Sequence, residues 1–392
     1  TGTPRWLYTA EESVSNNAIV VTDGLVVLLD RTPDARITQM KRRGEDIQVR
    51  YTLRALDAAT GAEVWTTHQR ISDLRALFSS EGVLVATGPR AMNAYRVSDG
   101  RMLWATATKT NKFPAIVDGI IYNEPRAYDL QTGEQAKRVH PLTGQEVGWD
   151  YARSYGCGSI AGAPGLLLFR SGTIGFCDLV DDSGIHNYGG VRAGCYVNAI
   201  AANGLVLVPC ADAGCTCSYN FQTSVALMPA EREETWSVFR ATGAEALTPL
   251  KRVSLNLGAP GDRRDEDDTV WLSFPRPPAA GAMKIAAQMS PAEATNLYRY
   301  NADAIETGGT QRPWLYASGC TGAVKLSVAT LWEAPMGLPI SETRPYTVRL
   351  HFAEPTNSEP GQRVFGVKLQ GNSVLESFDI VAEAGGTRRA LV

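Results

Sequence analysis

Short apolar stretches alternate with polar turns along the first half of the chain, and one phrase recurs there. An apolar strand ends in Asp, a Thr-Gly or Asp-Gly turn follows, and the next strand carries a Trp. The phrase occurs at Ala55–Trp65, at Ala94–Trp104 and, more loosely, at Ala127–Glu134. Gly61 and Gly100 are 39 residues apart. A period of about 40 residues made of short strands predicts β-propeller blades.

The glycine and the tryptophan of this phrase have different predicted roles. We expect the glycine to supply the positive φ that a tight turn between strands requires. The indole is large enough to fill the space between neighbouring blades, so its period becomes the period of the blades. Truncation of a buried Trp104 is expected to cost roughly 3–5 kcal/mol.

A second glycine marks the inner hairpin of each repeat, which predicts five blades. These hairpin tips are Asp23-Gly24, Glu81-Gly82, Asp118-Gly119, Pro164-Gly165 and Asn203-Gly204. The first spacing is the longest, and we interpret residues 31–50 as an inserted polar loop. The repeat of strands and turns ends in the charged stretch that follows Pro229, where Trp236 is expected to close the fifth blade.

The remaining sequence predicts a different all-β pattern. Strands are expected at 252–257, 269–274, 324–328, 346–352 and 364–369, and the last two alternate inward and outward positions. Such alternation favours a sandwich of two antiparallel sheets. We therefore predict an all-β chain with a partial propeller at 1–245 and a β-sandwich at 246–392, both incomplete.

Composition and charge argue against a nucleic-acid-binding or membrane-spanning protein. The 392 residues carry a formal charge of −3 and are 44% hydrophobic. Basic residues are dispersed, so no nucleic-acid partner is predicted. No apolar run approaches the roughly 18 residues of a membrane-spanning helix, so no transmembrane segment is expected.

Six of the seven cysteines fall within one short stretch, and Cys320 stands apart. The six are Cys157, Cys177, Cys195, Cys210, Cys215 and Cys217. Clustered cysteines between strands predict disulfides and an oxidising compartment, that is, a periplasmic, cell-envelope or secreted protein. We favour links from Cys177 to Cys210 and from Cys195 to Cys215, and a buried free thiol at Cys320. Zinc-ligand spacing is missing from the sequence, so no metal is predicted.

Two family resemblances follow from these residues. The phrase Ala55–Trp65 and its repeats resemble the pyrroloquinoline-quinone-like repeat of bacterial propellers, which occurs in quinoprotein dehydrogenases and in non-catalytic scaffold proteins of outer-membrane assembly. The stretch Tyr346–Pro355, followed by Gly361–Phe365, resembles a malectin-type carbohydrate-binding β-sandwich. The malectin family continues with further strands beyond the Ala-Gly-Gly turn at 384–386.

No catalytic residue is predicted. A quinoprotein dehydrogenase stacks its quinone on a disulfide between adjacent cysteines, whereas Thr216 separates Cys215 from Cys217 here. A Cys-x-x-Cys-His haem site is also missing from the sequence. A quinone- and calcium-dependent oxidoreductase is therefore kept as the alternative, and the main prediction includes no cofactor.

Carbohydrate binding needs aromatic faces and a few hydrogen-bonding side chains. The candidates are Tyr298, Tyr300, Trp314, Tyr316 and Trp332, with Asp262 and Glu354 as polar partners. Tyr298 and Tyr300 are expected on a loop. For each aromatic residue the competing interpretation is packing in the core.

The sequence thus predicts a non-catalytic envelope or secreted scaffold. Its sandwich is expected to bind carbohydrate, and its propeller is expected to be an interaction platform for an envelope protein. A protein-interaction scaffold without sugar binding is a further alternative.

Overall fold

The computed structural model describes most of the chain, and the described part forms two compact units. The described residues are 2–46, 49–68, 74–109, 112–211, 214–217, 219, 221, 223–230, 234–276, 283–290, 296–305, 310–322, 324–339 and 342–392. The first unit comprises Thr1–Arg138, Gly148–Val180 and Tyr188–Met228, and the second comprises Val139–Val147, Asp181–Asn187 and Pro229–Val392. The main change of unit along the sequence therefore falls at Pro229.

The first unit consists of consecutive antiparallel sheets. Two sheets have four strands, formed by β1 (Ile19–Thr22), β2 (Leu25–Arg31), β3 (Tyr51–Asp57) and β4 (Glu63–His68), and by β5 (Ala76–Ser80), β6 (Val83–Thr87), β7 (Ala91–Arg96) and β8 (Met102–Ala107). Three further groups are β9 (Ala115–Val117), β10 (Ile120–Asn123) and β11 (Arg126–Asp129); β14 (Ala161–Ala163), β15 (Leu166–Ser171) and β16 (Thr173–Asp178); and β18 (Ile200–Ala202), β19 (Leu205–Val208) and β20 (Val225–Leu227). Strands β12 (Lys137–Val139) and β13 (Glu146–Gly148) lie where the sequence passes between the units. These five groups are the predicted blades.

Each inner hairpin turns through the predicted residue pair. In β1–β2 the register joins Thr22 to Leu25, and both intervening residues have positive φ, 49° at Asp23 and 74° at Gly24. Positive φ at both central positions defines the type I′ turn, whose twist matches that of the flanking strands. The first hairpins of the other groups turn at the glycines expected from the sequence.

The apolar core of this unit lies between neighbouring sheets. Strand β6 alternates its side chains between two clusters: Leu84 and Ala86 pack with the residues of β2 and β3, whereas Val83 and Val85 pack with Ile121 and its neighbours. A central strand that is buried on both faces reads as a continuous apolar run, which is why the sequence Val-Leu-Val-Ala shows no polar alternation.

The recurring phrase joins one sheet to the next through its tryptophan. Trp65 Nε1 donates to Val97 O at 2.8 Å, and the indole lies against Gly100 so closely that a Cβ there would be 2.5 Å from Trp65 Cε3. Trp104 repeats the arrangement with Leu130 O and Gly133, and Trp6 repeats it with Ala58 O and Gly61. A copy of the phrase therefore supplies a glycine to one contact between neighbouring blades and a tryptophan to the next: Gly61 contacts Trp6, and Trp65 contacts Gly100.

The inserted segment after β2 differs from the prediction of a loop. Residues Asp34–Arg43 form helix α1, which has no buried residue. The sequence shows no apolar periodicity there because every side chain is at least partly solvent-exposed. Asp34 in the first turn and three basic residues in the last turn complement the helix dipole, and Gly44 ends the helix with φ of 68°.

The second unit contains mostly short strands. Its strands are β17 (Ile185–Asn187), β21 (Ser237–Val238), β22 (Ser254–Leu257), β23 (Arg263–Arg264), β24 (Val270–Phe274), β25 (Ala287–Ser290), β26 (Asn296–Arg299), β27 (Ser318–Thr321), β28 (Lys325–Val328), β29 (Phe365–Leu369) and β30 (Asn372–Phe378), with helices α2 (Pro313–Tyr316) and α3 (Ile380–Ala384). Two 3₁₀ turns, Asn16–Ala18 in the first unit and Ala302–Ala304 in the second, complete the elements of the described residues. The all-β class is confirmed, although β22 and β24 pair in parallel.

One predicted strand is missing from the second unit. Within the described stretch 342–392, residues 346–351 belong to no strand, and only Phe352 forms a bridge, to Leu391. The alternating pattern is present, but Tyr346 and Val348 are solvent-exposed. A strand needs a neighbouring edge to pair with, and sequence alternation alone does not supply one.

No helix among the described residues has the length and apolar character to cross a membrane.

Candidate functional site

Two neighbouring tyrosines lie on an edge of the second unit. Tyr298 lies within β26, so the loop prediction for it is wrong, whereas Tyr300 lies just beyond the end of that strand. Tyr298 pairs with Gly319 across the two strands, and a Cβ at Gly319 would lie 2.6 Å from the Tyr298 hydroxyl. The glycine therefore leaves room for the phenol ring to lie across β27. Both tyrosines are half-buried, and their ring centroids are 5.7 Å apart.

The C-terminal segment contacts this tyrosine pair. The Arg388 guanidinium carbon lies 5.0 Å from the centroid of the Tyr300 ring, within the range of a cation–π contact. The Tyr298 hydroxyl donates to Ala353 O at 3.4 Å. Burial, helped by Cys320 and Glu354, raises the pKa of Tyr298 to about 12, so the phenol stays protonated at neutral pH and remains a hydrogen-bond donor. We define Tyr298, Tyr300 and Arg388 as the tyrosine–arginine surface.

Glu354, predicted to contact sugar, is 1% exposed and supports the loop beside this surface. Its Oε1 accepts from the backbone N–H groups of Thr356 and Asn357 at 3.1 and 3.0 Å. Its Oε2 is 2.9 Å from Arg363 Nε. The carboxylate therefore stabilises the turn at 354–357. Within this turn, Pro355 O accepts a hydrogen bond from Arg388 Nε–H, so Glu354 supports the tyrosine–arginine surface indirectly.

Of the other predicted aromatic contacts, Trp332 is 4% exposed and packs in a core cluster of the second unit. Trp314 and Tyr316 also lie in the core of this unit. They are 3% and 6% exposed, and Trp314 packs edge-on against Trp236 and Trp271. Burial of this extent leaves no aromatic face for a ligand, so the packing interpretation holds for both residues. Trp236 also belongs to this unit and not to the fifth blade.

His351 extends the same cluster. Its Nδ1 is 3.0 Å from the Tyr316 hydroxyl, and its ring lies edge-on to Trp271. Burial, together with the charges of Arg312 and Arg349, lowers the pKa of His351, so the imidazole is neutral at pH 7.

Asp262 is an internal hydrogen-bond acceptor and not a surface partner. It is 1% exposed and accepts the N–H groups of Phe239 and Ser273, both at 2.9 Å. The Arg276 guanidinium donates to the same carboxylate. A buried carboxylate with these partners fixes three segments of the unit, and its hydrogen-bonding capacity is used within the protein.

The cysteines do not form the predicted bonds. None of the seven, all of which lie among the described residues, is in a disulfide. The close sulfur pairs are Cys157 with Cys195 at 3.0 Å and Cys215 with Cys217 at 3.1 Å. The favoured links Cys177–Cys210 and Cys195–Cys215 are therefore wrong. Cys320 is half-buried, and burial raises the pKa of its thiol. Among the described residues, no group of three or more His, Cys, Asp or Glu side chains is arranged to hold a metal ion.

The residue that sequence reasoning missed is Arg388. It lies two residues after the Gly385-Gly386 pair, and its own φ is 58°. The signal in the sequence is a basic residue two positions after a predicted turn, but its contact with Tyr300 spans 88 positions and cannot be inferred from the local pattern.

Two family models match the chain. Residues 332–392 match the malectin domain, and residues 1–112 and 49–164 match outer membrane protein assembly factor BamB. The chain joins BamB-like propeller repeats to a malectin-like segment. Both predicted resemblances are thereby confirmed. The malectin-like segment contains Glu354 and Arg388, and the BamB-like repeats contain the tryptophan–glycine contacts.

Individual relatives cover only parts of the chain. Receptor-like protein 4 of Arabidopsis thaliana is 34% identical over 82 residues, which are 20% of this chain and 13% of that protein. The crystal structure of BamB from Moraxella catarrhalis is similar over 52% of this chain and 57% of that chain, with 18% identity and a TM-score of 0.34. A europium-containing methanol dehydrogenase is similar over 52% and 55%, with 10% identity and a TM-score of 0.32. The chain thus spans less than two thirds of each of these proteins.

Proposed function

We propose that the protein is a binding scaffold of the cell envelope or of secreted material. Its malectin-like segment binds carbohydrate, and its BamB-like repeats bind a protein partner. The proposal is supported by the joining of a segment similar to a carbohydrate-binding family to repeats similar to an outer-membrane assembly factor.

The observation that carries the carbohydrate half is the tyrosine–arginine surface. Sugars present axial C–H groups to aromatic rings and hydroxyls to polar side chains. Tyr298 and Tyr300 are partly exposed, adjacent and in contact with the malectin-like segment through Ala353 and Arg388. The other predicted contacts are buried, so this surface is where we place the ligand.

Glycan-array binding of the full chain tests the proposal. We expect wild type to retain at least one glycan class and Tyr300→Ala to lose about two- to tenfold in affinity, since stacked aromatic contacts contribute roughly 0.5–1.5 kcal/mol beyond their buried area. Tyr346→Ala is the matched control, because Tyr346 is another partly exposed tyrosine of the same unit. Silence of the folded wild type on all glycans, or equal loss in both variants, would reject carbohydrate recognition at this surface.

A further inference from the structure

Four cysteines from separate parts of the first unit meet in one place. Cys157 lies before β14, Cys195 lies before β18, and Cys215 and Cys217 follow β19. Their sulfurs form the two close pairs, at 3.0 and 3.1 Å. A disulfide has a sulfur–sulfur distance of about 2.05 Å, so each pair needs only a small approach to form a bond.

Two buried arginines hold this group of thiols. Arg170 is 0% exposed and donates through Nη1 to the Cys195 sulfur at 3.2 Å. It also hydrogen-bonds the Cys217 side chain, so one guanidinium serves both pairs. Arg192 is 1% exposed and donates to the backbone carbonyls of Cys215 and Cys217 at 3.0 and 3.2 Å. A buried guanidinium is costly unless it is paired, so these contacts are specific features of the fold.

The backbone is also adapted to bring the thiols together. Gly158 has φ of 81°, and a Cβ there would lie 1.9 Å from the carbonyl oxygen of Cys195. Only glycine permits that approach. Three of the four cysteines have solvent exposure, since Cys157 is exposed and Cys215 and Cys217 are partly exposed.

We propose that these four cysteines form a thiol–disulfide exchange centre, in which Cys217 attacks a substrate disulfide, Cys215 resolves the mixed disulfide, and Cys157–Cys195 is a second redox pair beside it. The substrate class is a small-molecule or peptide disulfide. This activity is independent of carbohydrate binding and lies in the other unit.

The chemistry balances in two exchange steps. The Cys217 thiolate bonds to one substrate sulfur while the substrate S–S bond breaks, and the other substrate sulfur leaves as a thiolate and takes up a proton. Cys215 then loses its proton, attacks the Cys217 sulfur and expels the second substrate thiol. The substrate disulfide gains two electrons and two protons, and the Cys215–Cys217 dithiol supplies them.

The surroundings of Cys217 favour its role as the attacking thiol. Hydrogen bonds from Cys215, Tyr155 and Arg170 lower the pKa of the Cys217 thiol to about 7. Relative to a free thiol of pKa about 8.5, the thiolate fraction at pH 7 rises about fifteenfold, while the lower basicity reduces its nucleophilicity about fivefold. The net expectation is a reaction about threefold faster, with a midpoint of the rate–pH profile near 7.

The test treats the reduced full chain with glutathione disulfide or with a disulfide-bonded peptide, followed by acid quenching, alkylation and peptide mapping. Wild type should form Cys157–Cys195 and Cys215–Cys217 bonds, and an excess of reduced glutathione should reverse them. Cys215→Ser should accumulate a mixed disulfide on Cys217, whereas Cys217→Ser should lose that adduct. Cys320→Ser in the second unit is the matched control and should behave as wild type.

Several outcomes would overturn the proposal. Other pairings, an adduct located elsewhere in Cys215→Ser, or a Cys215–Cys217 bond that no glutathione ratio reduces would mark the cysteines as purely structural. Retention of zinc with protection of all four thiols would identify a metal site instead. Reaction with the peptide disulfide alone, or with glutathione disulfide alone, separates the two substrate sources while supporting the exchange chemistry. Circular dichroism of each variant establishes that it is folded.

Discussion

The contact between Trp65 and Gly100 offers a sharp test of how the blades are joined. Gly100 has φ of 70°, and a Cβ there would lie 2.5 Å from Trp65 Cε3. Gly82 has nearly the same φ, 72°, but a Cβ added to it would meet no atom within 4 Å, so it is a matched control in the same sheet. Alanine at either position meets the same backbone strain, and only Gly100→Ala also displaces the indole.

The expected losses of stability follow from two contributions, the backbone strain of alanine at positive φ and the displacement of the Trp65 indole. A left-handed conformation costs a residue with a Cβ roughly 1–2 kcal/mol. Complete loss of a buried Trp costs roughly 3–5 kcal/mol, and Trp65 is half-buried, so displacing it should cost about 2 kcal/mol. We therefore expect Gly100→Ala to lower the free energy of unfolding by about 3–4 kcal/mol and Gly82→Ala by about 1–2 kcal/mol.

The measurement combines urea unfolding of the full chain with hydrogen exchange of peptides from 51–107, which reports on these two sheets separately. In a Trp65→Ala background, Gly100→Ala should cost only as much as Gly82→Ala, which gives a coupling energy of about 2 kcal/mol. Equal costs for the two glycines in wild type, within about 0.5 kcal/mol, would refute the account of the indole as the joint between blades.

Two further predictions concern the second unit. Asp262→Ala removes the acceptor for Ser273 and leaves the Arg276 guanidinium without its carboxylate. We therefore expect urea unfolding to show a free energy of unfolding lower by about 3–5 kcal/mol. A decrease below about 1 kcal/mol would contradict the role of Asp262 as an internal hydrogen-bond acceptor. His351 has a pKa lowered by burial and by Arg312, so its contribution to stability is full above the unfolded pKa of about 6.5 and declines as pH falls below it. His351→Gln should therefore show a smaller loss of stability between pH 7 and pH 5 than wild type, and identical pH profiles would refute this.

The blades were predictable because their determinants are local. A type I′ turn needs positive φ at two adjacent residues, and pairs such as Asp23-Gly24 indicate it directly. The Asp of the recurring phrase is equally local: Asp57 Oδ1 accepts from the backbone N–H of Thr60 at 2.8 Å and from its hydroxyl at 2.8 Å. Helix α1 was missed because its determinants are the Gly44 C-cap and charges at its two ends, without an apolar face.

The candidate surface was only partly predictable, because burial depends on partners distant in sequence. Tyr298 and Trp314 are equally plausible sugar contacts as residue types. Their difference arises because Trp314 is enclosed by Trp236 and Trp271, whereas Tyr298 lies across a glycine at a sheet edge. Similarly, the strand expected at 346–352 has the correct alternation but, within the described residues, bridges only at Phe352.

The cysteine pairing illustrates how repeat geometry refines such inferences. The sequence favours a link between Cys177 and Cys210 because each ends an apolar strand, but Cys177 lies on the third strand of its blade and Cys210 follows the second strand of the next. Cys157 and Cys195 do occupy equivalent positions, each a few residues before the first strand of its blade. These first strands, β14 and β18, contact each other, and Asn198 donates to Ser159 O at 2.8 Å beside them. In a repeat protein each unit touches its neighbours in the same way, so equivalent positions on contacting strands are the pairs to consider first.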